Sequence, residues 1–194
     1  MILATILIAI VATAVQGSLF EWALHRYWLH RPKRPYAFFH YHTLVHHQLC
    51  KNEDTFHVTE PKQKEALTFE WWACPALMAI NTLPWVGLSL GLGMFGLALP
   101  RAALLISVAS TLLAYYILYE GMHVLMHVEG LGWAERFLPF KFLKRHHFIH
   151  HLHMSRNFNV VVPLADLLFG TLETRVPVQA HNAVPAPQVE RRAG

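Results

Sequence analysis

Ala102–His127 reads AALLISVASTLLAYYILYEGMHVLMH, and this stretch decides the fold. From Ala102 to Tyr119 it holds no Asp, Glu, Lys or Arg, close to the roughly 20 helical residues that cross a hydrocarbon core. The helix then continues through Glu120 into His123 and His127, which at i and i+4 share one face. A membrane helix that delivers two imidazoles where it emerges is the unit from which the rest of the chain is read.

Two further stretches lack charge altogether, residues 1–20 and 71–100. With 54% hydrophobic and only 14% charged residues in 194, the composition is that of a single-domain, all-α integral membrane protein. Three to four transmembrane helices are expected, with spans at about 2–24, 71–99 and 102–122. Ala12-Thr13-Ala14 is a small-residue pattern, but no Lys or Arg precedes the apolar run, so the first stretch reads as an anchor rather than a cleaved signal. Residues 71–100 contain Pro75 and Pro84. An unbroken helix there would run about 45 Å against a core of about 30 Å, so it must tilt, kink at Pro84 or split in two. The membrane domain ends near 175, and the Pro-, Ala- and Val-rich residues 176–194 read as a disordered tail carrying a non-functional His181.

The chain has 15 histidines, and ten fall in four clusters: His25 and His30; His42, His46 and His47; His123 and His127; His147, His150 and His151. In KRHHFIHHLH (Lys144–His153) the last three stand at i, i+3 and i+4 and can converge on one point. His25 and His30 are five apart, about 140° around an α-helix, so they share a face only if the turn loosens. His40 stands close enough to replace His42. His57, in the polar segment Lys51–Glu70, reads as a surface residue, and His146 and His153 point away from the ligand face. Two cysteines are too few for a thiolate cluster, so any metal is held by nitrogen and oxygen. Ten imidazoles exceed the positions of one ion, and two ions with four or five nitrogens each, both keeping a position open, are the economical solution. Imidazole suits zinc, copper, iron and nickel.

His47 and His123 share a site only if an even number of crossings separates them, which spans at 71–99 and 102–122 provide. Of the 16 Lys and Arg residues, 15 then lie on the histidine side and only Arg101 on the other. The positive-inside rule puts that side in the cytoplasm, as a histidine-rich helical cap holding a di-metal site. The same distribution accounts for the net charge of +4 without nucleic acid as a partner. Trp133–Leu143 mixes aromatics and bases around Pro139 and reads either as a segment in the headgroup region or as a connecting loop. The spans carry no ionisable residue near the midplane, as a transporter would require. A bilayer-resident substrate can instead slide up between the helices.

At these residues the chain resembles the fatty acid hydroxylase superfamily of membrane di-iron oxygenases, which act on fatty acids, sterols and carotenoids. The resemblance covers roughly residues 20–172. It rests on HX4H at His25 and His30, HX3HH at His42, His46 and His47, HX3H at His123 and His127, and HX2HH at His147, His150 and His151. The run YEGMHVLMH…KRHHFIHH…DLLFGT, with Asp166 and Phe169-Gly170-Thr171, is most similar to the lipid acyl-chain 2-hydroxylases. The compact size is nearer to bacterial carotenoid hydroxylases. The second motif has three residues before its paired histidines where the 2-hydroxylases generally have two, which leaves His40 and His42 as alternatives.

The resemblance implies a fatty acid hydroxylase-like domain over residues 1–175. It also implies two iron ions on the ten histidines, with zinc as an ion found on isolation, and O2 as co-substrate. The implied substrate is a membrane lipid, and with no fused cytochrome b5-like domain, electrons are expected from a separate cytochrome b5- or ferredoxin-like donor. The expected reaction is hydroxylation of a lipid C–H bond. Desaturation by the same centre and a non-catalytic metal-binding or metal-transport membrane protein are the competing readings. Glu21 and Glu120, near His25 and His123, are placed either to orient imidazoles or to be solvated at the interface. Asn159 and Asp166 share that ambiguity, with Asp166 alternatively a cap for the final helix.

Overall fold

The computed structural model describes residues 1–97 and 99–176, so the expected tail and His181 lie outside the described residues apart from Val176. Helix α1 (Ile2–Leu24) continues without a break into a π-helical turn, His25–Leu29. Two more long helices follow, α4 (Ala73–Met94) and α5 (Arg101–His127). These three are long and apolar enough to cross a membrane, at the low end of the expected three to four. The elements between and after them are short: α2 (Tyr36–Phe39), a π-helical turn at His40–His46, and α3 (His47–Leu49). Beyond α5 come α6 (Leu138–Leu152) and α7 (Leu164–Leu168). No β-strand forms among the described residues. One isolated bridge joins Val58 to Val128.

Of the three possibilities for residues 71–100, a split is excluded, because α4 runs as one helix through Pro84. It is shorter than the uncharged stretch, and its 22 residues span about 33 Å, close to the core thickness. Gly96 stops it. At φ +74° it takes the left-handed conformation that favours glycine, and Leu97 N–H then closes back on the Leu92 carbonyl (3.0 Å). By contrast the 27 residues of α5 reach about 40 Å, longer than a core of about 30 Å.

Helix α5 is the centre of the bundle, packing along both α1 and α4. At Gly17 the approach to α1 leaves no room for a side chain, since a Cβ there would stand 2.9 Å from the Tyr115 ring. Helices α1 and α4 are tied to each other by Gln16, which donates to the Asn81 carbonyl (2.9 Å) and accepts from the Trp85 indole (2.5 Å). Leu3, Ile8, Val11, Leu83, Ile106 and Ile117 are exposed on the outside, the apolar surface a lipid environment covers. Trp133, Phe137, Leu138 and Phe142 are exposed beside it.

The segment after α6 folds back onto α1. Ser18 donates to the Val162 carbonyl (2.6 Å) and accepts from Ala165 N–H (3.1 Å), and the Trp22 indole donates to Thr171 Oγ1 (2.8 Å). This loop, and the polar segment before α4, close over the histidine end of the bundle.

Candidate metal centre

The ten clustered histidines come together as two groups of five. His25, His30, His42, His47 and His150 form the first; His46, His123, His127, His147 and His151 form the second. Within each group one nitrogen per ring lies within 4.8 Å of all the others. Nine of the rings are buried and His30 is half-buried. His40 is exposed and belongs to neither group, which settles the choice between His40 and His42 in favour of His42. His57 faces Glu129 at 3.9 Å, away from both groups.

The assignment of rings to groups differs from the sequence expectation in one respect. His147, His150 and His151 do not converge on one point: His147 and His151, one α-helical turn apart, enter the second group, while His150 enters the first. His46 and His47 divide in the same way. Consecutive residues on a helix point about 100° apart, so each adjacent pair straddles the two groups. The rings of His47 and His151 stack across the boundary with centroids 4.3 Å apart.

The loosened turn that His25 and His30 require is present, and it occurs twice. His30 N–H bonds to the His25 carbonyl (3.1 Å), closing an i→i+5 turn. His47 N–H likewise bonds to the His42 carbonyl. A π-turn brings residues five apart to nearly the same azimuth, so both pairs aim into the first group. The second group is built from α-helical pairs only, His123 with His127 and His147 with His151, plus His46.

Backbone carbonyls fix the tautomers. His25 Nδ1 donates to Phe158 O (2.5 Å) and His150 Nδ1 to Arg156 O (2.7 Å). His123 Nδ1 donates to Leu67 O (2.7 Å) and His127 Nδ1 to Phe56 O (2.6 Å). A carbonyl only accepts, so these four rings carry their proton on Nδ1 and present a bare Nε2. Each group draws its acceptors from one loop: the first from the segment after α6, the second from residues 53–67. Neither set of accepting carbonyls leaves a side-chain trace in the sequence, and the polar segment Lys51–Glu70 supports the second group through its backbone.

Charge is kept out of the rings. Burial, followed by the facing His150, pushes His30 down to about 2. Burial pushes His150 down to about 4 against the raising effect of its bond to Arg156. Burial and then neighbouring imidazoles hold His42, His46, His47, His147 and His151 well below the ordinary value. Neutral imidazole is the ligand form.

The nitrogens are spaced for an ion. Nε2 separations are 2.8 Å (His25–His42), 3.0 Å (His30–His150) and 3.2 Å (His42–His47) in the first group. In the second they are 3.0 Å (His127–His147), 3.1 Å (His147–His151) and 3.2 Å (His46–His123). An ion bonded at ~2.1 Å holds nitrogens about 3.0 Å apart at right angles and about 3.4 Å apart in a tetrahedron. These neighbouring pairs match right-angled donors more closely than tetrahedral ones, and on a six-coordinate ion five donors would leave a sixth position. Protons can bridge such nitrogens only in pairs, whereas one cation satisfies all five. Two buried histidine clusters of this kind can each bind a metal ion. No carboxylate joins either group among the described residues.

No family model, curated protein or solved structure matches the chain. What the site can do follows from its donors and their surroundings.

The neighbouring carboxylates serve the scaffold. Glu21 accepts from Tyr115 Oη (2.6 Å), Asn159 Nδ2 (3.2 Å) and Val160 N–H, tying α1 to α5 and to the segment after α6. Glu120 accepts from Phe69 N–H (3.3 Å). Neither touches an imidazole, and Glu21 is buried rather than solvated. Asp166 does not cap α7. It accepts from Phe158 N–H (2.9 Å), Thr171 Oγ1 (2.7 Å), Asn159 N–H (2.8 Å) and His146 Nε2 (3.1 Å). Burial alone would raise its pKa, but these donors hold it below the usual carboxylate value. Asp166 thus fixes the peptide whose carbonyl orients His25.

Two cavities reach the histidines. One, about 610 Å³ of empty space including its open part, lies between α1, α4 and α5 and passes His25 to reach Leu29. The other, about 1120 Å³, touches His42 and His123, one ring from each group, and has Lys62, Glu65 and Glu70 at its margin. The stacked rings of Phe69 and Tyr119, 5.5 Å apart, line both.

Proposed function

We propose that this chain is a membrane oxygenase that holds two iron ions on its ten clustered histidines and hydroxylates a lipid C–H bond. The observation that carries the proposal is the pair of adjacent, buried five-imidazole groups beside three helices of membrane length. Iron in such sites supplies the redox chemistry with O2 that no side chain can. The overall reaction is RH + O2 + 2 e⁻ + 2 H⁺ → ROH + H2O, with R a fatty acyl chain, sterol or carotenoid. The electrons come from a separate donor protein, and the histidine side faces the cytoplasm, as the 15-to-1 distribution of Lys and Arg supports.

The chain's own residues have defined parts in this scheme. Ten neutral imidazoles bind. The carbonyls of Phe158, Arg156, Leu67 and Phe56 orient four of them and raise their basicity as ligands. Phe56, buried against the His127 ring at 4.4 Å, and Phe158, buried beside His25 at 5.7 Å, keep water from the far sides of the two groups.

The test is metal analysis of the purified chain combined with O2 consumption under a competent electron donor and mass spectrometry of the lipid product. Two iron ions per chain and a product heavier by one oxygen are expected. A product lighter by two hydrogens would move the assignment to desaturation. Two bound metals without turnover would favour a metal-binding or transport role, and no bound metal would refute the reading.

A further inference from the structure

The cavity below His25 has a shape that the metal groups do not explain. Its lining runs along α1 from Gly17 to Leu29 and takes Leu77, Met78 and Asn81 from α4 and Leu112 to Tyr119 from α5. It is therefore enclosed mainly by the three membrane-length helices, with Phe69 from the segment before α4 closing its histidine end. Twelve residue steps of α1 make it about 18 Å long, and 610 Å³ over that length is a mean cross-section of about 34 Å². That is an upper limit, since the volume includes the part open to the surroundings. Chain atoms in contact stand ~4.0–4.5 Å apart, so the space suits one slender chain.

The walls are apolar because the polar groups beside them are turned away. Glu21 spends its carboxylate on Tyr115, Asn159 and Val160. At the other end, Gln16, Asn81 and Trp85 bond to one another, and Asn81 Nδ2 returns to the Leu77 carbonyl (2.9 Å). Those bonds join α1 to α4 at the level of the deepest lining residues, Gly17 and Asn81. Above that level the cavity lies between α1 and α4.

We infer that this cavity is a binding slot for the unbranched apolar chain of a lipid, entered sideways between α1 and α4, with the Gln16–Asn81–Trp85 clasp as its floor. The inference rests on the proposed oxygenase reading only for its consequence, which is that the carbon presented to His25 is set by the length of chain above the clasp. From Gly17 to His25 is eight residue steps, about 12 Å. An extended backbone covers ~3.4 Å per three bonds, so that depth holds roughly ten carbons of a zig-zag chain. Gly17 cannot enlarge without displacing the Tyr115 ring, and Met78 is the wall residue with the most adaptable side chain.

Straight-chain alkyl diazirines of graded length, with the photoreactive group at the terminal carbon, test the slot in the full chain held in lipid nanodiscs, with and without metal. Labelling that saturates, is displaced by unlabelled alkane, and maps to Leu77, Met78 and Leu112 is expected. Unsaturable labelling spread over Leu83, Ile106 and Ile117 on the outside overturns the inference, and this measurement needs no variant. Met78→Trp should weaken capture of the longer chains about tenfold while sparing the shorter ones. Gln16→Ala, which removes the bonds to the Asn81 carbonyl and from the Trp85 indole together, opens the floor and should admit longer chains; equal capture of all lengths by both variants also overturns it. Metal content and turnover are read on the same preparations. A labelled slot without turnover leaves the inference standing and refutes the oxygenase, whereas turnover with labelling outside the slot does the reverse.

Discussion

Asp166→Asn separates the two metal groups without touching a ligand. Each carboxylate oxygen accepts one backbone N–H: Oδ1 from Phe158 and Oδ2 from Asn159. An asparagine side chain has one acceptor and one NH2, so whichever way it turns, one of those N–H groups faces a donor. The lost charge-assisted bond is worth ~1.5–3 kcal/mol and the orphaned donor costs ~1–3 kcal/mol more, giving a loss on the order of 3–5 kcal/mol. Against a typical total of about 5–15 kcal/mol, the unfolding midpoint must drop visibly. The Phe158 carbonyl then loses its anchor and His25 its orientation. Second-shell losses of this kind typically weaken metal binding ~10–100-fold, and the loss is expected in the first group only, because Leu67 and Phe56 support the second from a different loop. Chelator competition resolves the two affinities, and thermal unfolding in detergent reads the stability. Thr171→Val removes the hydroxyl that donates to Asp166 and accepts from the Trp22 indole but keeps both backbone bonds to the carboxylate, and it gives the same preference for the first group should the asparagine variant not fold. Equal weakening of both groups, or unchanged affinity in a destabilised protein, would falsify the link from Asp166 through Phe158 to His25.

His30→Ala should release the ion of the first group and retain the second, His127→Ala the reverse, and His40→Ala neither, as read by metal stoichiometry. Gly17→Val drives a side chain into the Tyr115 ring and should cost about 1–3 kcal/mol in chemical unfolding, with metal content unchanged in the folded fraction. Metal-free protein should lose stability as pH falls from about 6.5 toward 4. A folded-state pKa below the unfolded value means that the unfolded chain binds more protons, so stability is present above 6.5 and lost below it. His150, pushed from 6.5 to about 4 by burial, contributes about 3 kcal/mol of that slope. A flat profile over this range in denaturant titrations would contradict the burial of a neutral ring.

The helical membrane character was legible because charge-free runs of about 20 residues have few other uses, and all ten grouped histidines stood in recognisable spacings. Less legible was how the spacings divide. His147, His150 and His151 share a helix face, yet a helix face subtends enough angle to serve two centres, and nothing in the spacing says where the boundary falls. The π-turn at His25 was half legible: a five-residue separation demands a looser turn, but the hydrogen bonds that supply it are invisible in sequence, and the second turn, which pairs His42 with His47 rather than His46, had no such cue. Residues 51–70 looked soluble because their side chains are polar, while their contribution to the second group is two carbonyls, which every residue type carries. Glu21 and Asp166 were legible as important acids near histidines, and neither proved to bond a clustered ring: Glu21 takes Tyr115, Asn159 and a backbone N–H, and Asp166 takes two backbone N–H groups, Thr171 and the ungrouped His146.

The division of adjacent residues between the groups has a consequence for reactivity. His46 and His47, and again His150 and His151, have Cα atoms one peptide apart, a fixed 3.8 Å, yet serve different groups. The two centres are therefore linked twice through single peptide units on different elements, one in the turn before α3 and one in α6. Neither centre can shift by much without dragging a ligand of the other, so the pair behaves as one rigid unit. The cavity beside them is arranged to match, since the larger one touches His42 of the first group and His123 of the second. A small molecule entering there meets one ring of each group. Disrupting one link, as with His47→Ala, should therefore lower the affinity of the intact second group as well as the first. Loss confined to the first group would show that the two centres are merely neighbours.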